Sequence, residues 1–332
     1  MFSKKNVAVI GGGSWATAIV KILSQNLNKI YWWIYEEEIV EHIKRFHHNP
    51  QYLSSVQFTI SKLIISNNFK KIMSKADVVI FAVPSVYLKE VLLQLDKSYY
   101  SNKIIVSAIK GVIPEDNVMV GDFFIDKLKI NKDNFATITG PCHAEEIALE
   151  RLSYLTISCS NSETANNLAS LIESRFSKTT ISNDVHGTEY AAVLKNIFAI
   201  ASGICNGLGY GDNFQAVLIS NAIQEIKRFV DAVHPLERDI SKSAYLGDLL
   251  VTAYSQFSRN RYFGNLIGKG YSVKYAKDEM QMVAEGYYAV KGVKEMNKKY
   301  NIDLPIVDAV YNVLYEKIAP RIEFRILADN LS

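Results

Sequence analysis

The sequence predicts an α/β chain in which an N-terminal doubly wound, mostly parallel sheet precedes an all-helical C-terminal domain. Three observations carry this reading. Short Val/Ile/Phe-rich runs alternate with amphipathic stretches through the first half, a glycine-rich turn joins the first run to a helix-like stretch, and from about Val185 the pattern changes to long stretches of helical period. With 332 residues and about 100–200 residues per domain, the chain divides into domains over 1–184 and 185–332. No Pro/Gly/Ser-rich linker separates them, so the junction near Asn183–Gly187 is tight. A cleft between two such domains is the default place for a site.

The strand-like runs are Asn6–Ile10, Ile30–Tyr35, Asp77–Val83, Lys103–Ile109, Phe135–Thr139 and Tyr154–Ser158, with helix-like Ser14–Gln25 and Val86–Leu95 among them. The first run leads into Gly11-Gly12-Gly13-Ser14-Trp15-Ala16, which matches G-x-G-x-x-A. Gly11 permits the tight turn, Gly13 lets backbone approach a pyrophosphate, and the small Ala16 allows close helix–strand packing at the helix N-terminus. The competing reading is a glycine turn without a ligand. Glu36, at the end of the second run, completes the dinucleotide-binding pattern of a Rossmann-type sheet. Its carboxylate suits a ribose hydroxyl and repels a 2′-phosphate, which favours NAD over NADP. Glu37 and Glu38 read as a solvated helix start.

Further along, Lys110 and the stretch Gly140-Pro141-Cys142-His143 follow strand-like runs, where such sheets bind ligands. An ordinary strand-end charge is the alternative for Lys110, and turn residues are the alternative to a thiol–imidazole pair for Cys142 and His143. In the second half, Glu189–Ala201 is apolar nearly all round yet contains Lys195 and Asn196. A helix of that composition is buried, so each polar group needs a partner or a task. Burial lowers the pKa of a lysine, making Lys195 a proton donor and acceptor near neutrality, unless its stem carries the ammonium to the surface. Asp248, between a glycine and another apolar helix, is either the partner of that lysine or an N-cap. The helix-period stretches break near His234–Pro235, Gly268–Gly270 and Leu304–Pro305. Ser258-Arg259-Asn260-Arg261 pairs arginines with small hydrogen-bonding neighbours, as a phosphate site does, although a surface motif is the commoner reading.

Composition sets the limits. Lys and Arg number 37 against 34 Asp and Glu, a net +3, so no general attraction to nucleic acid or anionic lipid follows. No segment reaches the about 18–20 apolar residues of a membrane span. Lys4 and Lys5 before an uncharged run imitate an export signal, and the three glycines inside that run argue against one. Cys142, Cys159 and Cys205 are odd in number and widely spaced, which fits a reduced, cytoplasmic protein, and no Cys/His spacing suggests a metal site. His47 and His48 have no ligand spacing and read as surface or loop residues.

Taken together, the motifs resemble the NAD-dependent glycerol-3-phosphate dehydrogenase family along nearly the whole chain. The resemblance rests on Gly11 to Ala18, Val83-Pro84-Ser85, Lys110-Gly111, Gly140 to Glu146, Leu194 to Ala201, Gly207 to Asn213, Leu246 to Leu249, Ser258 to Gly264 and Val283 to Gly286. It implies Lys195 as general acid/base, Lys110 in contact with substrate and cofactor, and Asp248, Arg259 and Asn260 completing the substrate site with support from Asn196 and Thr252. Gly140, Cys142 and Ser258 fall at substrate-binding positions of the bacterial branch; Ser14, Trp15, Ala144, Val283 and Glu285 match cofactor contacts, as does Arg259. Cys142 stands where Ser or Thr is usual, Leu53 lacks the proline that usually follows, and the basic residues often found between Asn213 and Ala222 are absent.

The implied reaction interconverts dihydroxyacetone phosphate and sn-glycerol 3-phosphate with NAD(H), NADP(H) being the second choice, and supplies phospholipid synthesis. A small phosphate substrate, no nucleic-acid partner and a homodimer belong to that expectation. The alternatives are a related dehydrogenase of a hydroxy acid or sugar acid and a non-catalytic NAD(H) sensor.

Overall fold

The computed structural model describes residues 5–280 and 282–332. Lys4, part of the apparent export signal, lies outside them; the uncharged run after Lys5 forms a strand, the glycine turn and the start of a helix. Two compact units emerge, one of Met1–Ile109 with Val120–Val185 and one of Lys110–Met119 with His186–Ser332.

The first unit is built on strands β1 (Val7–Ile10), β2 (Ile30–Trp33), β3 (Leu63–Ser66), β4 (Val78–Phe81) and β5 (Ile104–Ser107). Two short strands, β6 (Val112–Ile113) and β7 (Val118–Met119), belong to the second unit. Then come β8 (Phe135–Thr139), β9 (Ser153–Cys159) and β10 (Ser177–Ser182), which complete an eight-stranded sheet in the order β10-β9-β8-β5-β4-β1-β2-β3. All neighbours are parallel except β8 and β9. Strand order reverses between β1 and β4, so the carboxyl ends of these two strands form the switch point at which doubly wound sheets bind ligands. The central strands β1, β2, β4 and β5 are buried at every residue, as a sheet covered on both faces requires.

The helices of this unit are α1 (Ser14–Asn26), α2 (Glu37–Phe46), α3 (Phe69–Met73), α4 (Ser85–Leu92), the turn α5 (Val120–Asp122), α6 (Ala144–Ala148) and α7 (Ser162–Ile172). Helix α1 turns Ala16, Ile19, Val20 and Leu23 into the sheet core. Helix α7 is started by Asn161, whose side chain accepts from the Thr164 amide.

The second unit contains α8 (Val185–Gly207), α9 (Asp212–Val233), α10 (Asp248–Tyr254), α11 (Arg259–Gly268), α12 (Val273–Glu279), α13 (Glu285–Asn297), α14 (Pro305–Leu314) and α15 (Pro320–Asn330). Its α8 is buried from Gly187 to Cys205, the all-round burial its composition predicts. Glycines bring α8 and α11 into backbone contact: a Cβ on Gly207 would lie 2.5 Å from the Asn265 carbonyl, and Gly203 and Gly264 are closer still to the facing carbonyls of Arg261 and Ile200. The antiparallel hairpin β6–β7 packs on α13, where a Cβ on Gly292 would lie 2.7 Å from Val112 Cγ2. Helix α14 has an unusual cap. The buried carboxylate of Glu225, on α9, accepts from the amides of Ile306 (2.7 Å) and Val307 (3.3 Å), while burial raises its pKa to about 8 against the pull of those amides.

Candidate active site

In the first unit, the candidate cofactor residues surround the turn from β1 into α1. Gly11 has φ +132° and a Cβ there would lie 2.8 Å from the Ala82 carbonyl, just past β4, so only glycine fits the switch point. A Cβ on Gly13 would meet nothing within 4 Å. That open space is what a backbone needs in order to receive a pyrophosphate. Gly13 is also the N-cap of α1 and brings no side chain to its first amides. Ser14 and Ala16 are buried in the first turn, and Trp15 packs against the sheet core. The Glu36 carboxylate reaches back over the loop, with one oxygen 3.6 Å from a Cβ built on Gly12. Glu37 and Glu38 lie in the first turn of α2, where negative charge complements the helix dipole.

The strand-end residues of β8 belong to the same unit. Gly140 has φ +101° and sits against the Tyr154 carbonyl, 2.9 Å from where its Cβ would be. Cys142 is a half-buried thiol outside any disulfide, and Ala144 opens α6.

The second unit holds a charged cluster in an otherwise apolar setting. Lys195, only 4% exposed, pairs directly with Asp248, which is 1% exposed. The other oxygen of Asp248 faces Lys110 Nζ at 3.5 Å. Asp248 is the first residue of α10, yet its carboxylate turns to the two lysines and does not cap that helix. Burial lowers the Lys195 pKa to about 7, with Lys110 pushing the same way and Asp248 opposing both. A buried lysine and a half-buried one around a single carboxylate leave one proton easily surrendered.

The supporting residues are each fixed by a hydrogen bond. Asn196 Nδ2 donates to the Lys110 carbonyl at 2.7 Å, which ties the start of the hairpin to α8. Thr252 Oγ1 donates to the Asp248 carbonyl at 2.6 Å. Ser258 caps α11 by accepting from the Arg261 amide at 3.3 Å, so Arg259 starts that helix. Asn260 Oδ1 accepts from the Gly286 amide at 2.9 Å, holding α11 to the start of α13, where Val283 and Glu285 lie. Among the described residues no cluster of three or more metal-ligating side chains exists.

Two residues beside the glycine loop escape a reading of the sequence. Trp32 Nε1 donates to the Gly11 carbonyl at 2.7 Å, and Asn49 Nδ2 donates to the Gly12 carbonyl at 2.9 Å. Asn49-Pro50 signals a turn. No local pattern reveals that its amide reaches a loop 37 residues away.

Comparison with known proteins accords with this geometry. Residues 6–165 match the family described as NAD-dependent glycerol-3-phosphate dehydrogenase N-terminus, and residues 184–324 match its C-terminus. The chain is 33% identical over 313 residues to glycerol-3-phosphate dehydrogenase [NAD(P)+] of Bacillus pumilus, covering 94% of this chain and 90% of that protein. It is 34% identical over 321 residues to the enzyme of the same name from an Exiguobacterium species, covering 96% and 94%. The crystal structure of glycerol-3-phosphate dehydrogenase from Coxiella burnetii superposes with a TM-score of 0.91 at 27% identity, over 97% of this chain and 98% of that one. D-mandelate dehydrogenase shares the fold at a TM-score of 0.60 and 17% identity, covering 98% and 100%. The chain belongs to the NAD-dependent glycerol-3-phosphate dehydrogenase family.

Proposed function

We propose that this chain interconverts dihydroxyacetone phosphate and sn-glycerol 3-phosphate with NAD(H), using Lys195 as proton donor and acceptor. The observation that carries the assignment of Lys195 is its burial against Asp248 and beside Lys110. NADH, when bound, supplies the hydride that the ketone carbon takes up. Lys195 delivers a proton to the oxygen of that carbon, and the charge of Lys110 stabilises the oxygen as it becomes negative. Asp248 keeps both ammonium groups oriented, Asn196 and Thr252 hold the backbone on either side, and Arg259 with Asn260 orients the phosphate. Ser258, Gly140 and Cys142 complete the substrate contacts in this reading. Gly11, Gly13, Ser14, Trp15, Ala16 and Ala144 receive the dinucleotide with Val283, Glu285, Lys110 and Arg259, and Glu36 turns the preference toward NAD. Production of glycerol 3-phosphate for phospholipid synthesis, in a cytoplasmic homodimer, belongs to the same proposal.

The test follows NADH absorbance at 340 nm with purified protein and either dihydroxyacetone phosphate or unphosphorylated dihydroxyacetone. Decay that requires the phosphate is expected, with NADPH slower. Turnover of a hydroxy acid without any phosphate requirement refutes the substrate assignment, and equal rates with NADPH refute the role of Glu36.

A further inference from the structure

We propose that Trp32 and Asn49 are positioning residues for the cofactor, which they serve by locking the peptide planes of the glycine loop. The proposal rests on reading that loop as the NAD(H) site. Three successive carbonyls of the loop are each engaged by a donor from the protein. Gly11 O accepts from Trp32 Nε1 at 2.7 Å, and Gly12 O accepts from Asn49 Nδ2 at 2.9 Å. Gly13 O accepts from the Thr17 hydroxyl and the Thr17 amide at 2.9 and 3.0 Å. In a trans peptide the N–H points opposite to the C=O of the same plane. Drawing the three carbonyls toward these donors therefore turns the N–H groups of Gly12, Gly13 and Ser14 the other way.

Glycine makes this restraint necessary. A run of three glycines samples more backbone conformations than any other tripeptide, and each conformer that rotates a carbonyl outward presents partial negative charge to a pyrophosphate. Side chains on the loop cannot supply the restraint. Donors from outside it do, and both are fixed in turn. Trp32 and Asn49 are each 0% exposed. Asn49 Oδ1 accepts from the amides of Gln51 and Tyr52 at 3.0 and 3.1 Å, and its Nδ2 also donates to the Thr17 hydroxyl at 3.0 Å. One buried amide thus joins the loop, the first turn of α1 and the turn after α2. Trp32 belongs to β2, next to β1, and its indole packs in the sheet core. A phenylalanine there retains the packing and loses the donor.

The experiment compares wild type, Trp32→Phe and Asn49→Ser by titration calorimetry with NADH, by steady-state kinetics, and by thermal melting. Serine still accepts from the turn amides and is too short to reach Gly12. The expected result is a Kd for NADH raised about tenfold in each variant, equal to about 1.4 kcal/mol. The kcat at saturating NADH stays within about threefold and the KM for dihydroxyacetone phosphate is unchanged. A merely structural role lowers the melting temperature and leaves the NADH Kd where it was. A folded variant whose Kd lies within twofold of wild type overturns the role of its residue, and failure of both variants to fold overturns the proposal by assigning the donors to stability alone. If wild type itself binds no NADH, the reading of the loop as a cofactor site fails instead.

Discussion

Replacing Gly286 with alanine sets two effects of known size against each other. Near the start of α13, alanine favours the helix over glycine by up to about 1 kcal/mol. The structure opposes it with backbone. A Cβ on Gly286 would lie 2.6 Å from the Asn196 carbonyl oxygen and 2.8 Å from Ile200 Cδ1. Ordinary C···O contacts begin near 3.3 Å, so α13 and α8 must part by roughly 0.7 Å, a backbone movement that no rotamer change relieves. Overpacking of this kind costs about 1–3 kcal/mol. The Gly286 amide also donates to Asn260 in a buried hydrogen bond, whose weakening costs about 1 kcal/mol more. The net expectation is about 1–3 kcal/mol of lost stability, a fall in Tm of roughly 1–4 °C for a chain of this size. The same movement reaches Asn196, which holds Lys110, and Asn260 beside Arg259. The KM for dihydroxyacetone phosphate therefore rises several-fold while NADH affinity is less affected. Differential scanning calorimetry and steady-state kinetics read both quantities. A Tm that is unchanged or raised, with an unaltered substrate KM, refutes the claim that these helices touch through backbone at Gly286.

Gly13→Ala should give the opposite pattern: the Cβ meets no protein atom within 4 Å, so Tm holds while NADH binding weakens at least about tenfold, as calorimetric titration will show. Lys195→Met should reduce turnover by about 100-fold or more with NADH affinity retained, and near-normal turnover removes Lys195 from the chemistry. With the Lys195 pKa lowered to about 7, kcat/KM for ketone reduction, which needs the ammonium, falls as pH rises through that value. Oxidation of glycerol 3-phosphate needs the neutral amine and rises over the same range; parallel profiles contradict the assignment. Glu225 supplies a test of stability. Its folded pKa of about 8 exceeds the usual value of about 4.3, so the folded chain retains a proton that the unfolded chain loses, and stability declines as pH rises between them. Glu225→Gln should flatten the dependence of Tm on pH across that window, and an unchanged slope rejects it.

Parts of this architecture are written locally in the chain and parts are not. The inner strands show as unbroken apolar runs because both faces of the sheet are covered. By contrast, β10 reads Ser-Lys-Thr-Thr-Ile-Ser with three residues exposed, since an edge strand has neighbours on one side only. β6 and β7 are two residues each and carry no periodicity. Lys195 is conspicuous because a charge inside an apolar helix contradicts its surroundings, whereas Asp248 stays ambiguous in sequence because an aspartate before a helix has a cheaper explanation. The glycine spacing of α8 and α11, four residues apart in each, is visible in sequence; its meaning depends on which helix lies opposite. Asn49 and Trp32 act over separations of 37 and 21 residues, and nothing near them specifies the partner.

The hairpin of Lys110–Met119 lies in sequence between two segments of the first unit while packing with the helices of the second. The chain therefore passes from one unit to the other three times, after Ile109, Met119 and Val185. A fragment cut at the last crossing contains Lys195 and Asp248 but not Lys110, and leaves α13 without the strand that covers Gly292. On the ribosome the hairpin emerges well before α8, so Lys110 waits for its carboxylate until Asp248 has been made. The helical unit is thus not a module that can be excised or exchanged at a single junction: an exchange that preserves the charge balance around Asp248 has to carry ten residues from the middle of the other half.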